Sequence, residues 1–130
     1  MGQDKIILCD TDVIIEFYRN NADIISNLKE IGQEHIGVST ITVGELFYGA
    51  INKKELNQIK KDIESLIIVD IDSKTCDTFI DIMDRYVLSH NLALPDGLIA
   101  ATAIANDIEL YTLNIKDYRF IDGLKLYKKS

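Results

Sequence analysis

The stretch I6-I7-L8-C9-D10-T11-D12-V13-I14-I15 decides how the rest of the chain is read. An apolar run stops at two acidic residues separated by one threonine, and apolar residues resume at once. A short continuous apolar run suits a strand covered on both faces. Burying an unpaired charge is costly, so carboxylates at the end of such a strand need a partner or a chemical task.

Outward from this stretch, apolar periodicity alternates strands with helices. Residues 5–10 read as a buried strand and 13–19 as a short helix. A second helix is predicted over 22–31, with Ile24, Ile25, Leu28 and Ile31 on one stripe and Gly32 as its stop. Residues 35–39 form the next strand, and 41–48 a helix ending at Gly49. Another helix covers 53–66, with Leu56, Ile59, Ile63 and Leu66 facing inward, and 66–69 is the third strand. The longest helix starts at an Asp72/Ser73 cap and carries Cys76, Phe79, Ile80, Met83, Tyr86 and Val87. Pro95 suits the first turn of the last helix, which runs to about Ala105. Strands at 109–112 and 124–126 complete the pattern. The alternation implies an α/β fold, a three-layer α/β/α sandwich around a mainly parallel sheet.

Length and composition agree with one domain spanning 1–130: the 130 residues are 47% hydrophobic and 8% aromatic. No apolar run approaches the roughly 18 residues of a bilayer span. The start, M1-G2-Q3-D4-K5, lacks the features of a signal peptide, so a cytoplasmic location is expected. Cys9 and Cys76 both sit in apolar patterns and read as reduced, buried residues. Net charge is −7, with 21 acidic and 14 basic residues. That argues against broad electrostatic capture of nucleic acid. It leaves open an enzyme whose acidic cluster is neutralised by a divalent metal.

In parallel sheets ligands bind beyond the carboxyl ends of the strands. Asp10, the Ser39–Thr40 pair and Asn114, just past Thr112, all fall at such ends. Glu45 lies on the helix leaving the second strand, Asp96 in the first turn of an apolar helix, and Asp117 beyond the last central strand. Carboxylates converging on one edge repel by a few kcal/mol at roughly 4 Å and intermediate dielectric. A hard divalent cation reverses that sign, and its natural chemistry at such a cluster is phosphoryl transfer. Each residue also has a plainer reading. Asp12 caps the helix starting at Val13, Glu45 is a solvated helix residue, Asp96 only answers the helix dipole, and Asp117 belongs to a connecting turn. Lys53, Lys54, Lys60 and Lys61 read as an exposed face. His35 and His90 have no evident ligand partner, and Tyr18 and Tyr48 read as core or interface residues.

The series D10-T-D-V-I-I, S39-T-I-T-V-G-E45-L-F-Y-G-A, P95-D96-G-L-I-A-A-T-A and T112-L-N114-I-K-D117-Y resembles the PIN-domain family. The likeness is closest to the VapC-type toxins of bacterial and archaeal toxin–antitoxin pairs, and it covers essentially the whole chain. The resemblance implies a Mg²⁺- or Mn²⁺-dependent ribonuclease that hydrolyses RNA by in-line attack of water, without need of the 2′-hydroxyl. The family's metal-ligating acids fall on Asp10, Glu45 and Asp96, and its site hydroxyls on Thr11 and Thr112. Homodimers and a small cognate antitoxin covering the active site are also implied. Two departures stand out. Asp12 occupies a position where many relatives have Asn. At the fourth acidic position the chain offers Asn114 and, three residues on, Asp117.

Two rival readings carry different consequences. In a haloacid-dehalogenase-like phosphatase, Asp10 attacks phosphate, Asp12 is the general acid and residues 35–40 supply the second motif. That reading needs a well-placed lysine and a later acidic pair. A PIN-like module that binds RNA or protein without cleaving it is the non-enzymatic alternative.

Overall fold

The structure, a computed structural model, describes residues 5–129; most of the start read above for a leader lies outside them. The opening apolar run forms strand β1 (Ile7–Cys9), and helix α1 (Thr11–Tyr18) follows after a single residue. Next come α2 (Ala22–Ile31), β2 (Ile36–Ser39), α3 (Thr40–Tyr48), α4 (Lys53–Ile63) and β3 (Ile67–Val69). The chain continues through α5 (Ser73–His90), α6 (Leu94–Ala105) and β4 (Glu109–Tyr111) to a short 3-10 helix (Ile115–Asp117).

The strands pair in parallel in the order β3-β2-β1-β4. β1 is therefore central, which explains why its apolar run has no polar alternation. Its side chains divide between two cores. Ile7 and Cys9 join Val13, Ile24, Leu28, Leu46, Ile59 and Ile63 from α1–α4. Leu8 joins Ile82, Tyr86, Ile99 and Ala100 from α5 and α6. Helices thus cover both faces, giving the expected three-layer sandwich. Connections from β1 run outward through β2 to β3, and the chain then returns to place β4 on the opposite flank of β1. The reversal opens a crevice beyond the carboxyl ends of β1 and β4, the position where such sheets bind ligands.

Local signals explain most element ends. Gly32 terminates α2 at φ 91°, a left-handed conformation favouring glycine. The Asp72 side chain accepts the Thr75 backbone N–H to cap α5. Gly97 allows α6 to approach α5 closely, since a Cβ there would sit 2.6 Å from Met83 Sδ.

Several expectations need correction. On α5 the inward stripe is Thr75, Phe79, Ile82, Met83 and Tyr86, whereas Ile80 and Val87 face outward. Cys76 is exposed for the same reason; one step around the helix from Thr75 carries it off the buried face. α1 begins two residues earlier than expected, because Asp10 rather than Asp12 is its N-cap. α4 stops at Ile63 and turns before β3. The expected strand at 124–126 is only an isolated parallel bridge of Leu126 with Leu110. Tyr48 is 93% exposed and belongs to neither core. The lysines at 53, 54, 60 and 61 are exposed, as expected.

Candidate active site

Asp10 lies at the centre of the crevice and is almost fully buried, at 6% exposure. One carboxylate oxygen accepts the Thr11 backbone N–H at 2.8 Å, capping α1. The other accepts the Thr112 hydroxyl at 2.8 Å, tying β1 to the end of β4. Burial nevertheless raises the Asp10 pKa above the ordinary carboxylate value, and the nearby Glu45 charge adds to the rise.

Glu45 is half-buried on α3, and Thr11 Oγ1 donates to its Oε1 at 2.7 Å. That bond turns Glu45 toward the strand edge, one of the two orientations left open by its sequence context. Thr11 Oγ1 also lies 3.0 Å from the Thr42 hydroxyl. Thr42 is itself fully buried, and its backbone N–H donates to the Ser39 hydroxyl that caps α3.

Asp96 comes from the first turn of α6, opposite Glu45 and Asp10. Tyr118 Oη donates to its Oδ1 at 3.2 Å. Partial burial raises the Asp96 pKa, and the charges of Asp10, Asp117 and Glu45 push it the same way. These mutual effects place Asp10, Glu45, Asp96 and Asp117 in one electrostatic neighbourhood. Asp117 is exposed at the end of the 3-10 helix, on the rim of the crevice.

Asp12 does a different job from its neighbour. Its Oδ2 accepts the Leu113 backbone N–H at 3.2 Å and the Asn114 side-chain amide at 2.8 Å. Asn114 in turn donates its backbone N–H to Thr112 Oγ1 at 3.1 Å. Asp12 and Asn114 therefore fasten the loop after β4 to the start of α1. Asp12 Oδ1 is buried without a hydrogen-bond partner, and burial together with the Asp10 charge pushes the Asp12 pKa up to about 6.

Among the described residues no Lys, Arg or His forms an ion pair with Asp10, Asp12, Glu45, Asp96 or Asp117. The donors are hard oxygens, the class that Mg²⁺ and Mn²⁺ prefer. Among the described residues no three His, Cys, Asp or Glu side chains stand close enough to hold a single ion directly. Mg²⁺ usually keeps several waters and takes only one or two carboxylates directly, so three side chains on one ion are not required of the site. His90 stacks on Phe120 and His35 lies beside Glu34, both away from the crevice.

Sequence reasoning brought Asp10, Thr11, Asp12, Glu45, Asp96, Thr112, Asn114 and Asp117 to this edge. It missed Thr42 and Tyr118. Thr42 carried a faint signal, as a polar residue among the apolar positions of α3. Tyr118 carried none beyond being an aromatic after an acid.

The sequence profile of the PIN domain matches residues 7–122, spanning all of these positions. The chain belongs to the PIN-domain family. Ribonuclease VapC2 of Rickettsia felis is 33% identical over 129 residues, covering 93% of this chain and 96% of that protein. Ribonuclease VapC10 of Mycobacterium tuberculosis is 30% identical over 124 residues, covering 92% and 91%. Among solved structures, a toxin–antitoxin complex from Klebsiella pneumoniae superposes with a TM-score of 0.77 at 26% identity, covering 95% of this chain and 99% of that one. A divalent-metal requirement is general to PIN-domain ribonucleases of the VapC kind. The PIN assignment displaces the phosphatase reading, and among the described residues no lysine forms an ion pair with Asp10.

Proposed function

We propose that this PIN-domain chain is a Mg²⁺- or Mn²⁺-dependent endoribonuclease acting as the toxin of a toxin–antitoxin pair. One observation carries the reading: Asp10, Glu45, Asp96 and Asp117 gather at one crevice without a protein cation to balance them. Repulsion of that kind costs stability unless a ligand uses it. The ribonuclease names of the VapC2 and VapC10 relatives support the substrate class.

When bound, a divalent cation supplies charge neutralisation at the phosphodiester and a water acidic enough to attack it. The rest falls to the chain. Asp10, Glu45 and Asp96 would hold the hydrated cation, one or two of them directly and the rest through its waters. Thr112 and the α1 N-terminus hold Asp10 in one rotamer, and Thr11 does the same for Glu45. Asp12 and Asn114 fix the loop that carries Asp117 to the rim, where it orients water or substrate. Thr112 serves both groups, donating to Asp10 and accepting from Asn114. Because the Asp10 and Asp96 carboxyls are raised above the ordinary carboxylate value, the cation competes with protons for them, and affinity rises with pH through their titration.

The toxin assignment adds an antitoxin protein as partner, in line with the toxin–antitoxin complex from Klebsiella pneumoniae, and a homodimer as the working form. A cytoplasmic location and a single domain over 1–130 complete the proposal. Among the described residues no helix is long and apolar enough to cross a membrane.

The deciding experiment incubates purified, antitoxin-free protein with single-stranded and structured RNA in millimolar Mg²⁺ or Mn²⁺. Cleavage abolished by chelator and by Asp10→Asn is expected. Intact RNA under every condition, with Asp10→Asn indistinguishable from the parent, favours the non-cleaving binding module instead.

A further inference from the structure

Tyr118 is the largest side chain among the most deeply buried residues, at 1% exposure. Its ring packs in the core formed with Leu8, Ile99 and Ile121. A phenylalanine would fill that volume without taking a hydroxyl out of water, which is costly unless the hydroxyl is bonded. This hydroxyl is bonded to the acidic site. It donates to Asp96 Oδ1 at 3.2 Å and also interacts with Asp10. The 3-10 helix makes the placement possible: the Tyr118 backbone N–H closes onto Ile115 O, so Asp117 stays on the rim while the next residue drops beneath the carboxylates.

We propose that Tyr118 is a positioning residue whose hydroxyl, set beneath Asp10 and Asp96, fixes the Asp96 carboxylate for the divalent cation. This inference rests on the metal-dependent reading above. Two elements far apart in sequence supply these acids, Asp10 from the end of β1 and Asp96 from the start of α6. Thr112 and the α1 N-terminus already hold Asp10, whereas Tyr118 is the hydrogen-bond donor that the structure provides for Asp96. With one Asp96 oxygen engaged from below, the other is left to face a cation. A phenol hydroxyl is protonated at neutral pH and can donate to a carboxylate. Partners of this kind orient metal ligands, and losing one typically lowers metal affinity or activity about 10–100-fold.

The test measures Mn²⁺ binding without RNA, by the electron paramagnetic resonance signal of the free ion, in the parent, Tyr118→Phe and Tyr86→Phe. Tyr86 is the control: its buried hydroxyl accepts the Asp122 backbone N–H, away from the acids. Tyr118→Phe is expected to weaken Mn²⁺ binding about tenfold or more, and Tyr86→Phe less than twofold. In RNA cleavage the Tyr118→Phe loss should appear mainly in the Mn²⁺ concentration needed, with kcat recovering at saturation. The Tyr118 effect should vanish in an Asp96→Asn background. A readout on the unmutated protein is the Tyr118 ¹³Cζ resonance, which should shift on adding Mg²⁺. Equal Mn²⁺ affinity in parent and Tyr118→Phe, equal weakening in both phenylalanine variants, or an unmoved resonance while Mg²⁺ binds overturns the proposal and leaves the nuclease reading standing. A parent protein that binds neither ion removes the nuclease reading itself.

Discussion

Thr112 and Asp10 are 102 positions apart in sequence and joined by a single 2.8 Å hydrogen bond. Both are buried, and the bond runs across the mouth of the crevice between the adjacent strands β1 and β4. Like the Asp12–Asn114 bond, also 2.8 Å, it ties the β1–α1 junction to the end of β4. A hydrogen bond to a charged group contributes about 1.5–3 kcal/mol. Thr112→Val keeps the shape and deletes the donor, so it should lower stability by about that amount. Because the Thr112 bond also holds the Asp10 pKa down, the Asp10 pKa should climb further. Chemical denaturation and carboxyl ¹³C titration of the variant measure the two effects.

Asp10→Asn should separate activity from stability. The amide retains an acceptor for the α1 N-terminus or for Thr112 and removes a charge that raises the pKa values of Asp12 and Asp96. Cleavage is expected to fall by about 100-fold or more, in line with removing a metal ligand's charge. The metal-free melting temperature should hold or rise. A variant that loses activity and stability together would point to a structural role for Asp10 instead.

Asp12→Asn is expected to be mild, within about tenfold of parental activity, because the loop it fastens can still be held through the side-chain carbonyl. The new amide nitrogen faces a region where Asp12 Oδ1 now lies buried and unpartnered. Steady-state cleavage rates test this directly. A complete loss would revive a proton-transfer role for Asp12.

The acidic site makes metal-free stability depend on pH. Asp12 has its pKa raised to about 6, and those of Asp10 and Asp96 are raised as well. A carboxyl with a folded pKa above its unfolded value stabilises the fold when protonated, and that contribution is lost as pH rises through the folded pKa. The metal-free melting temperature should therefore increase on going from pH 7 to pH 5, a window that spans the Asp12 value. Saturating Mg²⁺ should flatten or reverse the slope, since the ion binds the deprotonated site. A metal-free melting temperature that falls steadily over that window contradicts the site described here.

Gly97 tests the packing that brings Asp96 to the crevice. Gly97→Ala puts a methyl 2.6 Å from Met83 Sδ and 3.4 Å from Phe79 Cε1. Met83 can yield in part, so a loss of about 1–2 kcal/mol is expected from overpacking, despite the better helix propensity of alanine. Metal affinity should weaken as well, because α6 carries Asp96. Urea unfolding and Mn²⁺ titration report the two consequences.

The sequence determined the order of strands and helices, the central place of the opening apolar run, and the acids that end at one edge. Those features follow from local physics: continuous apolar runs, caps such as Asp72, the stop at Gly32, and the rule that parallel strands present their carboxyl ends together. Tertiary structure decided what local pattern leaves ambiguous. Period alone did not fix which side of α5 is buried, because apolar residues lie nearly all around it; docking against α6 at Gly97 selected Thr75 and Ile82 over Cys76 and Ile80. The same holds for the two acids of the opening stretch. In sequence Asp10 and Asp12 look like a pair. In the fold, strand β4 supplies Thr112 to one and its loop supplies Asn114 to the other, which makes Asp10 the centre of the site and Asp12 the fastening of its loop. The hydroxyl of Tyr118 became meaningful only when a turn of 3-10 helix placed it under Asp96, a long-range contact that no local pattern encodes.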